Sequence, residues 1–280
     1  MLERELSIRR GARERDVLVK TTPLRGGYVV VLRDVTESKE VDRMKRDFLS
    51  VVTHELKTPL TAIEGYTKLL EMGKGGGLSD KQKEFVKTVA EQTAKLKEMI
   101  QDLLDVTRLE SGKLPLSITH LRAKEALEDA RRAFHGQAEA RGVELELDAE
   151  RVGNAQVAAD PFRLHQVLGN LVGNAFKFTE RGGRVRLVGE RDGGTVLLSV
   201  EDTGRGIPED SIPRLFGKFY QVQRGDTRVA GGAGLGLYIC RQLVEAQGGT
   251  IEVRSKVGEG TRFTMRFADV GSVLAPAEEG

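Results

Sequence analysis

The sequence predicts a multidomain chain in which an all-α helical hairpin, paired with a second copy into a dimeric four-helix bundle, is followed by an α+β two-layer sandwich. Two amphipathic stripes separated by a glycine cluster predict the hairpin. Short runs of period 2 interleaved with longer runs of period 3.6 predict the sandwich. At 280 residues, 39% of them hydrophobic, the chain is long enough for about two cores.

The hairpin comes first in the argument. Val41, Met44, Phe48, Val51, Val52, Leu56, Ile63, Tyr66 and Leu70 recur at helical steps between charged residues, predicting one helix over 37–71. The cluster Gly73 to Gly77 ends it, and Ser79 with Asp80 offers the cap of a second helix. There Phe85, Val89, Leu96, Met99, Ile100, Leu103 and Val106 continue the stripe to the Ser111-Gly112 stop. That stripe is too wide for a single antiparallel neighbour, so residues 37–112 are expected to dimerise.

Ahead of the hairpin, residues 1–36 carry one β-like run, Tyr28 to Leu32, after the turn signal Pro23-Leu24-Arg25-Gly26-Gly27. Too little precedes it to build a domain, so it reads as the end of a truncated domain plus a linker. Residues 113–270 change texture. Strand-like alternation is expected at 143–147, 185–188, 196–200, 250–253 and 262–267, and helices at about 122–141, 161–176 and 233–247. The tail 271–280 is expected to be disordered.

Charge and cysteine usage exclude several classes. The 44 basic and 42 acidic residues nearly cancel, which points to neither nucleic acid nor an anionic membrane as partner. Cys240 is the single cysteine, so no internal disulfide forms and no thiolate metal site is possible, in keeping with a reducing, cytoplasmic setting. The longest apolar run, Tyr28 to Leu32, is far below the ~20 residues of a bilayer span, and MLERELSIRR lacks the apolar stretch of a signal peptide. No membrane contact is expected of this fragment, although a longer protein could be tethered.

Chemistry is concentrated in a few segments. In the first helix, His54 is followed by Glu55 and, one turn on, by Thr58 and Pro59. Proline removes a backbone donor and should bend the helix there, projecting His54 from the bundle face, with Glu55 able to orient or deprotonate the imidazole. A lone exposed histidine is usually an ordinary surface residue. The absence of a second histidine four residues later excludes the zinc-protease pattern.

Farther on, Asn170 and Asn174 fall one turn apart on one helix face, a spacing that lets two amide oxygens approach a hydrated Mg²⁺, with Lys177 within reach of phosphate. A solvated helix face explains the same pair equally well in isolation. Asp202-Thr203-Gly204-Arg205-Gly206-Ile207 follows a strand, where a carboxylate can accept from the adenine amine and the glycines let backbone approach a ligand; alone it is an ordinary turn. Gly231 to Leu237 opens a helix with free backbone N–H groups suited to phosphate, or is merely a flexible linker. The polar stretch 221–230 before it reads as a mobile lid.

Taken together, these segments resemble a known family. Phe48 to Tyr66 closely resembles the phosphoacceptor box of sensor histidine kinases, His165 to Thr179 their asparagine box, and Asp202 to Pro208 their first glycine box. Leu215 to Tyr220 is similar to the phenylalanine box, and Gly231 to Leu237 to the second glycine box. The pocket segments also resemble the wider GHKL, or Bergerat, ATPase superfamily of gyrase-type topoisomerases, Hsp90 chaperones and MutL proteins. Those relatives lack the phosphoacceptor helix. The Walker loop and the glycine loop of hydroxyl-directed kinases are both missing.

The resemblance, which spans about 37–270, implies an ATP- and Mg²⁺-dependent kinase that phosphorylates its own His54 and then an aspartate on the receiver domain of a response regulator. Glu55 would be the general base and Thr58 the residue positioning water for dephosphorylation of the regulator. Asn170 and Asn174 would hold Mg²⁺. ATP would contact these two, Lys177, Phe178, Asp202, Gly204, Gly206, Ile207, Phe219, Gly232, Gly234, Leu235, Gly236, Leu237 and Thr261. Phe178 stands where tyrosine is common, and Gly217 where a charged residue is frequent. The run ending in Asp34-Val35-Thr36 resembles the exit of a PAS sensor domain. A nucleotide-binding scaffold without catalysis, or a member acting mainly as a phosphatase, are the alternatives.

Overall fold

The computed structural model describes residues 2–10, 13–111, 114–222 and 234–271; side chains at 38–51 and at His54 are among those outside the description. It forms two compact units, Met1–Thr107 and Arg108–Gly280.

In the first unit the single expected strand is replaced by three: β1 (Leu2–Arg10), β2 (Arg13–Leu24) and β3 (Gly27–Asp34) form an antiparallel meander. Pairing of Leu6 with Val17, and of Val19 with Leu32, puts Leu6, Ile8, Val17, Val19, Tyr28, Val30 and Leu32 on one face. Glu3, Ser7, Asp16, Lys20 and Arg33 occupy the other. The sheet is tied to the helix that follows: Val35 N–H donates to the Asp16 carbonyl at 2.9 Å, and Thr36 N–H and Oγ1 donate to Asp34 Oδ1 at 3.0 and 2.6 Å.

Helix α1 (Thr36–Glu71) continues through Pro59 as one element, and α2 (Asp80–Glu110) returns. Ser79 begins α2 with a reciprocal capping pair, its N–H donating to Gln82 Oε1 at 2.8 Å and its Oγ accepting from Gln82 N–H at 3.4 Å. Lys97 and Glu64 pair at 2.6 Å across the hairpin. Leu60, Ile100 and Val106 are buried, whereas Leu56, Ile63, Tyr66, Phe85, Val89 and Leu96 stay exposed in the single chain, as a stripe built for a further partner would. Asp102 is half-buried near Glu98 and Asp105; burial first, then these two carboxylates, push its carboxyl up to about 6.

The second unit is the α+β sandwich. Its main sheet has the order β5 (Glu144–Asp148), β7 (Arg184–Asp192), β8 (Thr195–Asp202), β10 (Gly260–Ala268), β9 (Thr250–Lys256). Only the β5–β7 pair is parallel, so the sheet is mixed, as expected. Two four-residue strands, β4 (Thr119–Arg122) and β6 (Gln156–Ala159), pair separately and were not anticipated. Helices α3 (Ala123–Arg141), α4 (Pro161–Phe178) and α5 (Gly236–Ala246) supply the second layer.

Register gives the two faces of that sheet. Val196, Leu198 and Val200 alternate along β8 opposite Phe267, Met265 and Phe263 of β10, all buried. The other face carries ion pairs: Arg186 with Asp148 and Glu201, and Arg262 with Glu190 and Glu201 at 2.7 and 2.9 Å. On α4, Leu164, Val167, Leu168, Leu171, Val172, Ala175 and Phe176 are buried, leaving one narrow polar face. Asp160 caps α4, accepting from Arg163 N–H at 3.1 Å and from Ser117 N–H at 2.8 Å. Burial alone would raise its pKa, but the backbone donors of Ser117, Arg163 and Phe162 outweigh it and the net shift is downward.

Candidate functional site: a nucleotide pocket

Asp202 is the next residue in the Val196–Leu198–Val200 row, so it lies on the helix-facing side of the sheet at the end of β8. Thr261 stands directly opposite it on β10. Gly204 N–H donates to Asp202 Oδ1 at 2.9 Å. Burial pushes the Asp202 carboxyl up to about 6, against the pull of the Gly204 and Thr261 backbone donors. A half-buried carboxylate in a row with apolar side chains is suited to a neutral donor such as an exocyclic amine.

The glycines at this turn are required by close approach. A Cβ on Gly204 would lie 2.4 Å from the Phe178 carbonyl oxygen, and Gly260, at φ +118°, would put one 1.9 Å from the Asp202 carbonyl oxygen. The end of α4, the Asp202 turn and the β9–β10 hairpin are thus pressed into one another. Ser255 joins the last two: its Oγ accepts from Ile207 N–H at 2.8 Å, donates to the Gly260 carbonyl at 2.8 Å and lies 2.9 Å from Thr261 Oγ1.

Asn170, Asn174 and Phe178 follow at four-residue steps on the polar face of α4. A Cβ on Gly236, the first residue of α5, would lie 2.9 Å from Asn170 Oδ1, so the asparagine row begins at the N-terminus of α5 and ends at the Asp202 turn. Leu235 is buried and Leu237 half-buried beside it. Gly234, at φ +70°, packs against the Phe219 backbone, and Phe219 is 66% exposed at φ 61°, a conformation unusual for a bulky residue. Gly232 lies outside the described residues.

These residues fit a Mg²⁺-nucleotide chemically: an amine acceptor at one end, two amide oxygens in the middle and a helix N-terminus at the other end. Among the described residues no cluster of three or more His, Cys, Asp or Glu could hold a metal by itself. The structure therefore brings together the predicted residues from Asn170 to Thr261, apart from Gly232. His54 lies on α1 in the other unit, with its side chain outside the described residues; Glu55 and Thr58 are exposed on the same helix. Two residues packed at this turn escaped the sequence reading. Arg205 sits in plain view between two glycines, whereas Ser255 becomes visible only through its register with Thr261.

Residues 44–112 match the His Kinase A (phospho-acceptor) domain, and residues 159–270 match the histidine kinase-, DNA gyrase B- and HSP90-like ATPase family. A phosphoacceptor helical hairpin joined to an ATPase domain of this fold defines the class of protein. The chain is similar to the circadian input-output histidine kinase CikA of Synechococcus elongatus, 38% identical over 235 residues covering 84% of this chain and 31% of that protein. It is also similar to the alginate biosynthesis sensor protein KinB of Pseudomonas aeruginosa, 35% identical over 85% of this chain and 39% of that one. Among solved structures, full-length ShkA in complex with AMPPNP superposes with a TM-score of 0.67 at 33% identity, covering 80% of this chain and 46% of that one. In order along the chain, the two matched domains are those of a histidine kinase. The chain spans less than half the length of each of these three relatives.

Proposed function

We propose that the chain is the kinase core of a two-component sensor, moving the γ-phosphoryl group of ATP to His54 and then to an aspartate on a response regulator. The observation that carries this reading is the convergence of Asn170, Asn174, Asp202, Gly236 and Thr261 on one side of the sandwich, in a chain that also holds the phosphoacceptor segment Phe48 to Tyr66. That ShkA was crystallised with AMPPNP supports a nucleotide as the pocket's occupant.

In this mechanism Asp202 accepts from the adenine amine and Thr261 borders the base. Asn170 and Asn174 would hold Mg²⁺, which when bound would neutralise charge on the phosphates. Lys177 and the α5 N-terminus orient the phosphate chain. One imidazole nitrogen of His54 attacks the γ-phosphorus in line; the N–P bond forms as the bond to the ADP oxygen breaks. Glu55 accepts the proton from the imidazole ring. The receiver aspartate then takes the phosphoryl group from His54 and frees the imidazole. Thr58, exposed one turn beyond His54, supports a reverse, phosphatase duty toward the phosphorylated regulator.

The exposed stripe of α1 and α2 supports a homodimer. A cytoplasmic setting is in keeping with the reducing compartment expected from the lone Cys240; no described helix is long and apolar enough to cross a membrane. The β1–β3 meander is read as the closing strands of a PAS-like sensor. The direct test is incubation with γ-labelled ATP and Mg²⁺: acid-labile, base-stable label on the parent chain and none on His54→Gln is expected. Label that survives in His54→Gln would overturn the assignment, and unchanged labelling of Asn174→Ala would mean that the pocket is misread.

A further inference from the structure

The turn after Asp202 holds a cation to which the mechanism above gives no task. Arg205 is fixed at both ends of its backbone, its N–H donating to the Phe178 carbonyl at 3.3 Å and its carbonyl accepting from Gly258 N–H at 2.9 Å. Its guanidinium carbon lies 4.5 Å from the centroid of the Phe178 ring, and Lys177 Nζ lies 5.0 Å from the same centroid. One aromatic ring thus gathers two positive charges.

What Arg205 lacks is as informative as what it touches. On the far side of the sheet, Arg186, Arg262 and Arg266 each meet a carboxylate. Among the described residues the Arg205 guanidinium meets no carboxylate and donates no hydrogen bond, and it lies over the Phe178 ring. A guanidinium held over a ring through its carbon keeps N–H groups available, and a guanidinium edge can take two oxygens of a phosphate at once.

Position along α4 selects which phosphate. Phe178 is one turn, about 6 Å, beyond Asn174 and about 12 Å beyond Asn170, at 1.5 Å of rise per residue. Asn170 adjoins the α5 N-terminus, and Phe178 adjoins the Asp202 turn through Gly204. Arg205 is therefore at the base end of the pocket, where the first phosphate of a nucleotide leaves the sugar.

We propose that Arg205, held on Phe178 and acting with Lys177, is a ligand of the nucleotide's α-phosphate. This rests on the reading of the pocket as an ATP site. Its distinguishing consequence is that ATP, ADP and AMP share the contact, whereas adenosine lacks it.

The experiment is competition of a fluorescent ATP analogue by ATP, ADP, AMP and adenosine on the full chain and on Arg205→Ala and Arg205→Lys. Expected is a loss on the order of tenfold for all three phosphorylated ligands in Arg205→Ala, with adenosine unchanged. Arg205→Lys should fall between, keeping charge without the two-pronged edge. The loss should shrink at high salt. Equal weakening of adenosine would make Arg205 a prop for the Phe178 ring, and loss confined to ADP and ATP would place it on the distal phosphates; either result overturns the proposal. So would unchanged binding of every ligand. Should the parent chain bind none of the four, the ATP reading itself fails, a result distinct from a defect seen only in Arg205→Ala.

Discussion

The two sheets of this chain obey the same alternation and end in opposite circumstances. In the β1–β3 meander, Leu6, Ile8, Tyr28, Val30 and Leu32 share one face and remain 44–75% exposed. In the five-stranded sheet, Val196, Leu198, Val200 and Met265 share one face and are 0–1% exposed, because α3, α4 and α5 cover it. Alternation sorts side chains onto faces, but only a covering layer turns a face into a core. The covered sheet can hold a charged Asp202 at its rim and strained glycines around it because the packing behind them fixes the backbone.

The largest expected contrast comes from deleting a covered side chain. Phe176 is fully buried between α4 and the core, with the Phe134 ring 6.2 Å away. Phe176→Ala should cost about 3–5 kcal/mol and unfold the ATPase domain at temperatures where the parent is intact, read by calorimetry. A cost below about 1 kcal/mol would mean that the helical layer is not what stabilises that sheet.

Next is the charge at the rim. Asp202 stands at about 6 in the folded chain against an ordinary 3.8, so folding favours its protonated form. The penalty for carrying the charge is absent below about pH 4, sets in as pH rises between the two values and is complete above about 6. Asp202→Asn should therefore raise the stability at neutral pH by on the order of 1–2 kcal/mol after allowance for solvent screening, read as a higher thermal midpoint, and leave it unchanged near pH 4. The same substitution should weaken nucleotide binding, and for the parent chain that binding should decline below about pH 6. A variant less stable than the parent at neutral pH would contradict the cause given for the shift.

A smaller effect belongs to the hairpin. Ser79→Ala removes the acceptor for Gln82 N–H at 3.4 Å while sparing the 2.8 Å bond in the other direction. A loss of about 0.5–1 kcal/mol in hairpin stability is expected, with faster amide exchange confined to the first turn of α2. Protection unchanged at that turn would show that the cap is idle.

The same contrast explains what could be read from the residues alone. Both long helices and the mixed sheet were legible because each carries a local signal, helical spacing or apolar alternation, and the turn glycines Gly204 and Gly260 stand where the backbone approaches closely. β1 and β2 were missed because charged residues fill much of both and their longest apolar run is the short Val17-Leu18-Val19, so that the five-residue run Tyr28 to Leu32 stood out. β4 and β6, four residues each, exist because Thr119 meets Ala159 across forty positions. Arg205 reads as a turn residue until the fold sets it over Phe178.

The smallest expected effect is the sharpest test of the uncovered sheet. Val30 is 54% exposed on the apolar face of β3, opposite Thr21 in the ladder. Val30→Thr keeps the branched shape and strand propensity while placing a hydroxyl where a methyl was. If that face is open to water, the hydroxyl is solvated and stability should change by less than about 0.5 kcal/mol, with amide exchange in β2 and β3 unaltered. Buried without a partner, the same hydroxyl would cost about 1–3 kcal/mol and loosen the meander selectively. Hydrogen exchange across β1–β3 in the full chain separates these outcomes. A selective loss of protection would mean that the two sheets differ less than their exposures suggest, and that the first, like the second, owes its stability to something packed against it.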